Sequence, residues 1–260
     1  MTQTYKKLAG LGLSSALTVS LLSACGNSQE TTPVASEELA APVPPAMTGE
    51  GEGEGEGEAG HNMETLPVEK RVAFMSGHVQ AGLALFRAGA PDEAAPHLLH
   101  PVSETHEAER AGIDALGFDQ EIFLAVSTAL EEGRPADEIA PQLADAEANM
   151  ALMQTNAGGD PLDVIAYLMD TVFEEYRIGV TDGVITDPGE YQDAYGFTVV
   201  ALEIAGRMEG ADTARLIGEL ETLLALWPEG GPLAESTPTS VAEIVAQTSN
   251  VHFALNALSQ

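Results

Sequence analysis

Asp160-Pro161-Leu162-Asp163-Val164-Ile165-Ala166-Tyr167-Leu168-Met169-Asp170-Thr171-Val172-Phe173 decides the fold. Leu162, Ile165, Leu168, Met169, Val172 and Phe173 recur at steps of three and four, which lines one face of an α-helix. Asp160 stands where an N-cap belongs, and Pro161 takes the first helical position, where a missing N–H costs nothing. The same punctuation recurs at Asp187-Pro188, ahead of Tyr191, Tyr195, Val199, Leu202 and Met208. Towards the N-terminus, Val72, Met75, Val79, Leu83 and Phe86 predict a helix that stops near Gly89. Pro91-Asp92-Glu93 opens a short helix carrying His97, Leu98 and Leu99, broken at Pro101, and Ser103 caps a third segment. Phe118 to Leu130 and Pro135 to Met153 repeat the pattern, the first with Ile122, Phe123 and Val126, the second with Ile139, Leu143 and Met150. The last two helices span Thr213 to Leu226 and Ser240 to Leu258. No alternating stretch of useful strand length interrupts them. The expected fold is all-α, a bundle of about eight helices over residues 66–260.

Ahead of the bundle the pattern changes. Lys6 and Lys7 form a positive head, Leu8 to Leu22 is apolar and rich in small residues, and Leu22-Ser23-Ala24-Cys25 ends it at the single cysteine. That order is a secretory signal peptide over residues 1–24, since the run is too short to span a bilayer. Residues 25–65 lack hydrophobic periodicity. Pro33, Pro42, Pro44 and Pro45 precede an alternating Gly-Glu tract from Gly49 to Glu58, whose composition predicts a disordered, extended acidic tether.

The chain has 260 residues and a formal charge of -31; loss of Lys6 and Lys7 with the signal leaves about -33. Such a surface repels nucleic acid and attracts cations and basic partners. A single cysteine excludes an internal disulfide and a multi-thiolate metal site.

Four of the six histidines fall between His78 and His106. His97 and His100, three apart, share one side of a helical turn. Glu104 and His106 follow beyond Pro101, and His78 lies on the preceding helix. Imidazole with carboxylate suits iron, copper or zinc, and steps of three present paired ligands on a helix. The alternative is a set of hydrogen-bonded or half-buried histidines without a ligand. His106-Glu107 is not the start of a zincin motif, because Arg110 occupies the second histidine position. Asp182-Gly183-Val184-Ile185-Thr186-Asp187 is not a calcium loop either: Ile178 and Val180 would occupy ligating positions. It is a Gly-bearing turn between two helices. No haem attachment motif, nucleophile elbow or phosphate loop is present.

Three resemblances bear on function. Leu22-Ser23-Ala24-Cys25 resembles the lipobox of bacterial lipoproteins, which implies that Cys25 is the lipidated N-terminus and the membrane anchor; Gly26 in place of Asp points to the outer membrane, facing the periplasm. Glu174-Glu175-Tyr176-Arg177-Ile178-Gly179-Val180-Thr181-Asp182-Gly183-Val184-Ile185-Thr186-Asp187-Pro188-Gly189-Glu190-Tyr191 resembles the extracytoplasmic helical regions associated with Ftr-type bacterial iron permeases. It implies a periplasmic helical module tied to iron handling, with Glu174, Glu175 and Glu190 as candidate ligands. The permease's membrane helices and Arg-Glu-x-x-Glu signature are absent, so transport is not implied. Imelysins compare less well, since Gly77-His78 is followed by Val79, Gln80 and Ala81 rather than by their glutamate. Gly82, Leu85, Gly89, Ala94 and Leu98 resemble a single tetratricopeptide-type hairpin, and no second copy follows.

The expected function is therefore not enzymatic. It is an envelope lipoprotein whose helical domain binds or delivers a transition metal, iron first, with copper and zinc as alternatives. An iron permease or another envelope protein is the expected partner, and nucleic acid is not. The competing expectation is a helical protein–protein scaffold without metal.

Overall fold

The computed structural model describes residues 66–103, 112–210 and 213–259. The signal peptide, Cys25 and tether of residues 1–65 lie outside the described residues, as do Glu104 and His106. Among the described residues eight helices carry the fold: α1 (Val68–Arg87), α2 (Pro91–Ser103), α3 (Gln120–Glu131), α4 (Ala136–Ala157), α5 (Pro161–Gly179), α6 (Pro188–Gly206), α7 (Thr213–Leu224) and α8 (Val241–Leu258). A further helical turn lies at residues 112–114. The all-α expectation holds, and no described helix is long and apolar enough to cross a membrane.

Local chemistry sets the helix starts. Asp160 accepts from the Leu162 N–H and Asp187 from those of Gly189 and Glu190, each followed by proline at the first helical position. Ser240 and Glu243 form a reciprocal capping box at the start of α8. One boundary differs from expectation. Pro101 does not break the second helix, which runs through Pro96 and Pro101 to Ser103. The missing Pro101 N–H removes one intrahelical bond close to the helix end, and the buried Pro101 ring anchors that last turn. Ser103 therefore closes α2.

The turn between α5 and α6 is a minimal β-hairpin. Val180–Thr181 (β1) pairs antiparallel with Val184–Ile185 (β2), in register Val180 to Ile185. Asp182 and Gly183 both have positive φ, 53° and 78°, the conformation of a two-residue type I′ turn and the reason for Asp-Gly here. The hairpin folds α6 back along α5, so that Glu175 and Glu190 stand equally far from the turn on facing helices.

Two cores share α1 as a wall. Ala73 joins Ile165, Leu168, Tyr176, Phe197, Leu220 and Val251 in a core built from α5 to α8. Val72, Met75, Val79 and Leu83 of α1 join Leu98, Phe123, Ile139 and Met153 in the other, built with α2 to α4. The crossing of α1 and α6 depends on two glycines. A Cβ on Gly196 would lie 2.0 Å from the Gly77 carbonyl oxygen, and one on Gly77 would lie 2.0 Å from Cδ1 of Phe197. The two backbones meet there because neither residue has a side chain. That contact brings His78, next to Gly77, against Asp193, one helical turn before Phe197.

Candidate metal centre

Three helices deliver four side chains to one point. His78 comes from the middle of α1, His97 and His100 from α2, and Asp193 from α6. One ligand atom from each lies within 4.8 Å of all the others. Asp193 Oδ1 sits 2.8 Å from His78 Nδ1 and 2.9 Å from His97 Nδ1. His100 Nδ1 lies 3.0 Å from His78 Nδ1. His78, His97 and Asp193 are buried, while His100 is half-buried and forms the accessible side. Phe74 packs edge-on against His78 at 4.7 Å, and Phe197 meets the same ring at 5.5 Å. The aromatic wall keeps water from that flank.

Electrostatics follow from this packing. Burial alone would raise the Asp193 carboxyl, but His78 and His97 outweigh it through charge and hydrogen bonds and hold it well below the usual carboxylate range. Burial pulls His97 down, yet the Asp193 charge and the hydrogen bonds that His97 donates to Asp193 and Gln192 prevail and raise it above its ordinary value. Both ring nitrogens of His97 are engaged, Nδ1 with Asp193 Oδ1 and Nε2 with Gln192 Oε1. Its Nδ1 hydrogen lies where a cation would.

The donor set fits a transition metal. Three imidazole nitrogens and one carboxylate oxygen make a four-ligand N/O set of the kind that holds zinc, copper or ferrous iron, whereas calcium and magnesium ask for mainly oxygen ligands. A tetrahedral ion with bonds near 2.05 Å needs ligand atoms about 3.3 Å apart. Three contacts of 2.8 to 3.0 Å lie just inside that spacing, and the remaining pairs, within 4.8 Å, would draw inward around an ion.

The other candidates divide. Glu190 is not one of the four clustered residues; it is paired with Glu175. The two carboxyls are hydrogen-bonded across α5 and α6, both are raised first by burial, and both feel the charges of Asp193 and His78. That bond acts in opposite senses on the two, raising Glu175 and lowering Glu190. Glu174 is not part of the pair, since adjacent helical residues point about 100° apart. Asp193 is the member of the cluster that sequence reasoning missed. A signal for it existed, since Asp193 lies on the same stripe as Phe197 and Val200, where a charge has no business unless it is paired.

No curated protein and no solved structure matches the chain. A family does. Residues 153–254, which hold α5 to α7, most of α8 and the end of α4, match the family described as the iron permease-associated 4-helix bundle domain, a permease-associated helical bundle rather than an enzyme family.

Proposed function

We propose that this chain is an envelope lipoprotein whose helical body binds a transition metal, iron as its cargo, and delivers it to an uptake permease. The observation that carries the reading is the convergence of His78, His97, His100 and Asp193 on one buried point in a protein whose C-terminal helices match a permease-associated bundle. The half-buried His100 gives the cation a way in and out, as a delivery site requires. Cys25 is the proposed anchor, and residues 25–65 the tether that gives the bundle reach from the outer membrane towards a permease. The preference for iron as cargo rests on the match of residues 153–254 to an iron permease-associated bundle.

The test is metal analysis of protein purified from cells without a histidine tag, followed by thermal unfolding with iron(II), copper(II) or zinc(II). Metal bound only by the native state raises the midpoint by mass action. At about 0.5 M salt, diffuse binding by the acidic surface is screened and an inner-sphere site persists. No stabilisation by any of the three under those conditions overturns the metal reading and leaves the scaffold.

A further inference from the structure

The four ligand atoms do not set their own orientation, and the structure assigns that task for His97. We propose that Glu93 and Gln192 are positioning residues that dictate which ring nitrogen of His97 takes the metal; the inference rests on the metal-binding reading above.

The argument is one of donors and acceptors. The Glu93 carboxylate accepts at Oε2 from two sources, the Gln192 side-chain amide and, at 3.1 Å, the Ala234 backbone N–H. The Ala234 contact, from the segment between α7 and α8, fixes the carboxylate in place. A carboxylate facing Gln192 admits only its NH2 group, so the amide has a single orientation and Oε1 must face the other way. There Oε1 lies 2.8 Å from His97 Nε2. An amide oxygen can only accept, so Nε2 must carry hydrogen. The one ring nitrogen of His97 left to release a proton to solvent and ligate is Nδ1, and it is Nδ1 that points into the cluster, 2.9 Å from Asp193 Oδ1. A ligating histidine whose far nitrogen donates to a fixed oxygen keeps its tautomer and ring plane. Here the fixing runs through two further side chains, from three separate parts of the chain. Gln192 is itself buried, so water does not take over its role.

The probe is zinc(II) on the full chain. Affinity is measured by competition with a chelator, and coordination by side-chain nitrogen NMR, which distinguishes Nδ1-bound from Nε2-bound imidazole. The wild type should bind through His97 Nδ1 with a protected Nε2 hydrogen. Glu93→Gln keeps an acceptor for Ala234 but can also donate, so the amide at 192 loses its fixed sense; affinity should fall at least about tenfold, with His97 no longer in one form. The double variant Glu93→Gln with Gln192→Glu reverses the middle link: the amide at 93 donates, and the carboxylate at 192 accepts from it and from His97. It should restore affinity to within about threefold of the wild type and return His97 to Nδ1 ligation. A purely structural role for Glu93 would not be rescued by that exchange. Ligation through His97 Nε2 in the wild type, an undiminished Glu93→Gln, or a double variant no tighter than the single one each overturns the relay. A wild type that takes up no zinc(II) overturns the metal reading instead, a result distinct from zinc bound in the wrong register.

Discussion

His100 Nδ1 faces His78 Nδ1 at 3.0 Å, and between two such nitrogens there is room for one hydrogen. His78 Nδ1 also lies 2.8 Å from Asp193 Oδ1, an atom that only accepts. The hydrogen therefore belongs to His78, and His100 presents a lone pair. In the metal-free protein, protons on His78 and His97 stand between the donors where a cation would otherwise sit. His97→Ala with His100→Ala should abolish the metal-dependent rise in thermal midpoint and leave the far-UV helical signal intact. In the wild type, affinity should weaken as pH drops through the folded value of His97, which lies above the ordinary histidine value of about 6.5, because ligation needs neutral imidazole.

Without metal the pH trend runs the other way. His97 is raised in the folded state, so it contributes stability that is fully present below the unfolded histidine value of about 6.5 and is lost as pH rises through the folded one. Asp193 is lowered; its contribution is present above the unfolded value and lost as pH falls through the folded one. Asp193→Asn leaves two buried histidines without their counter-charge and should cost about 3 kcal/mol. Urea unfolding of the metal-free protein across pH checks this: the variant should lose the alkaline decline attributed to His97.

Glu175 has the opposite sign from an ion-paired acid. Its folded value is raised, first by burial and then by Glu190, so the native state holds a proton that the unfolded chain releases. Stability falls with rising pH between the unfolded value, about 4.3, and the folded one. Glu175→Gln mimics the protonated form and keeps a donor for Glu190. It should be more stable than the wild type at neutral pH, with a flatter pH profile, measured by the same urea titration.

Two glycine substitutions should move stability in opposite directions. Gly196→Ala places a Cβ 2.0 Å from the Gly77 carbonyl, forcing α1 and α6 apart; a loss of about 3 kcal/mol is expected, with weaker metal binding because His78 and Asp193 separate. Gly218 in α7 meets nothing within 4 Å, so Gly218→Ala should stabilise by up to about 1 kcal/mol through helix propensity. Calorimetry of both variants tests the pair.

Cys25→Ala should leave an uncleaved or freely soluble protein. Detergent-phase partitioning decides it, and unchanged partitioning would sink the lipid anchor.

The helices were legible because their signals are local. Asp160-Pro161, Asp187-Pro188 and Ser240 with Glu243 announce themselves within four residues, and the apolar stripe of α5 needs no partner to be seen. Pro101 misled, because proline is judged by the bond it removes, while the burial that anchors its ring comes from packing. The histidines were legible as a cluster in sequence, since His97 and His100 share a turn. Asp193 was not chosen, because one acid among 41 Asp and Glu residues acquires its role only where α6 crosses α1. Glu174 and Glu175 looked equivalent in the permease-like segment; the angle between neighbouring helical residues separates them.

The proposed centre also divides by origin. Asp193, Glu175, Glu190 and Gln192 lie within the matched residues 153–254, while His78, His97, His100 and Glu93 all precede them. The permease-associated bundle by itself offers oxygen, and the preceding helical pair brings the nitrogen. Cut at residue 153, the chain would keep a weak, hard-cation surface and lose every imidazole of the cluster. The four-residue cluster thus exists only at the seam between two stretches of chain, and a shift of α1 along α6 by one helical turn would disperse it without altering a single one of its residues.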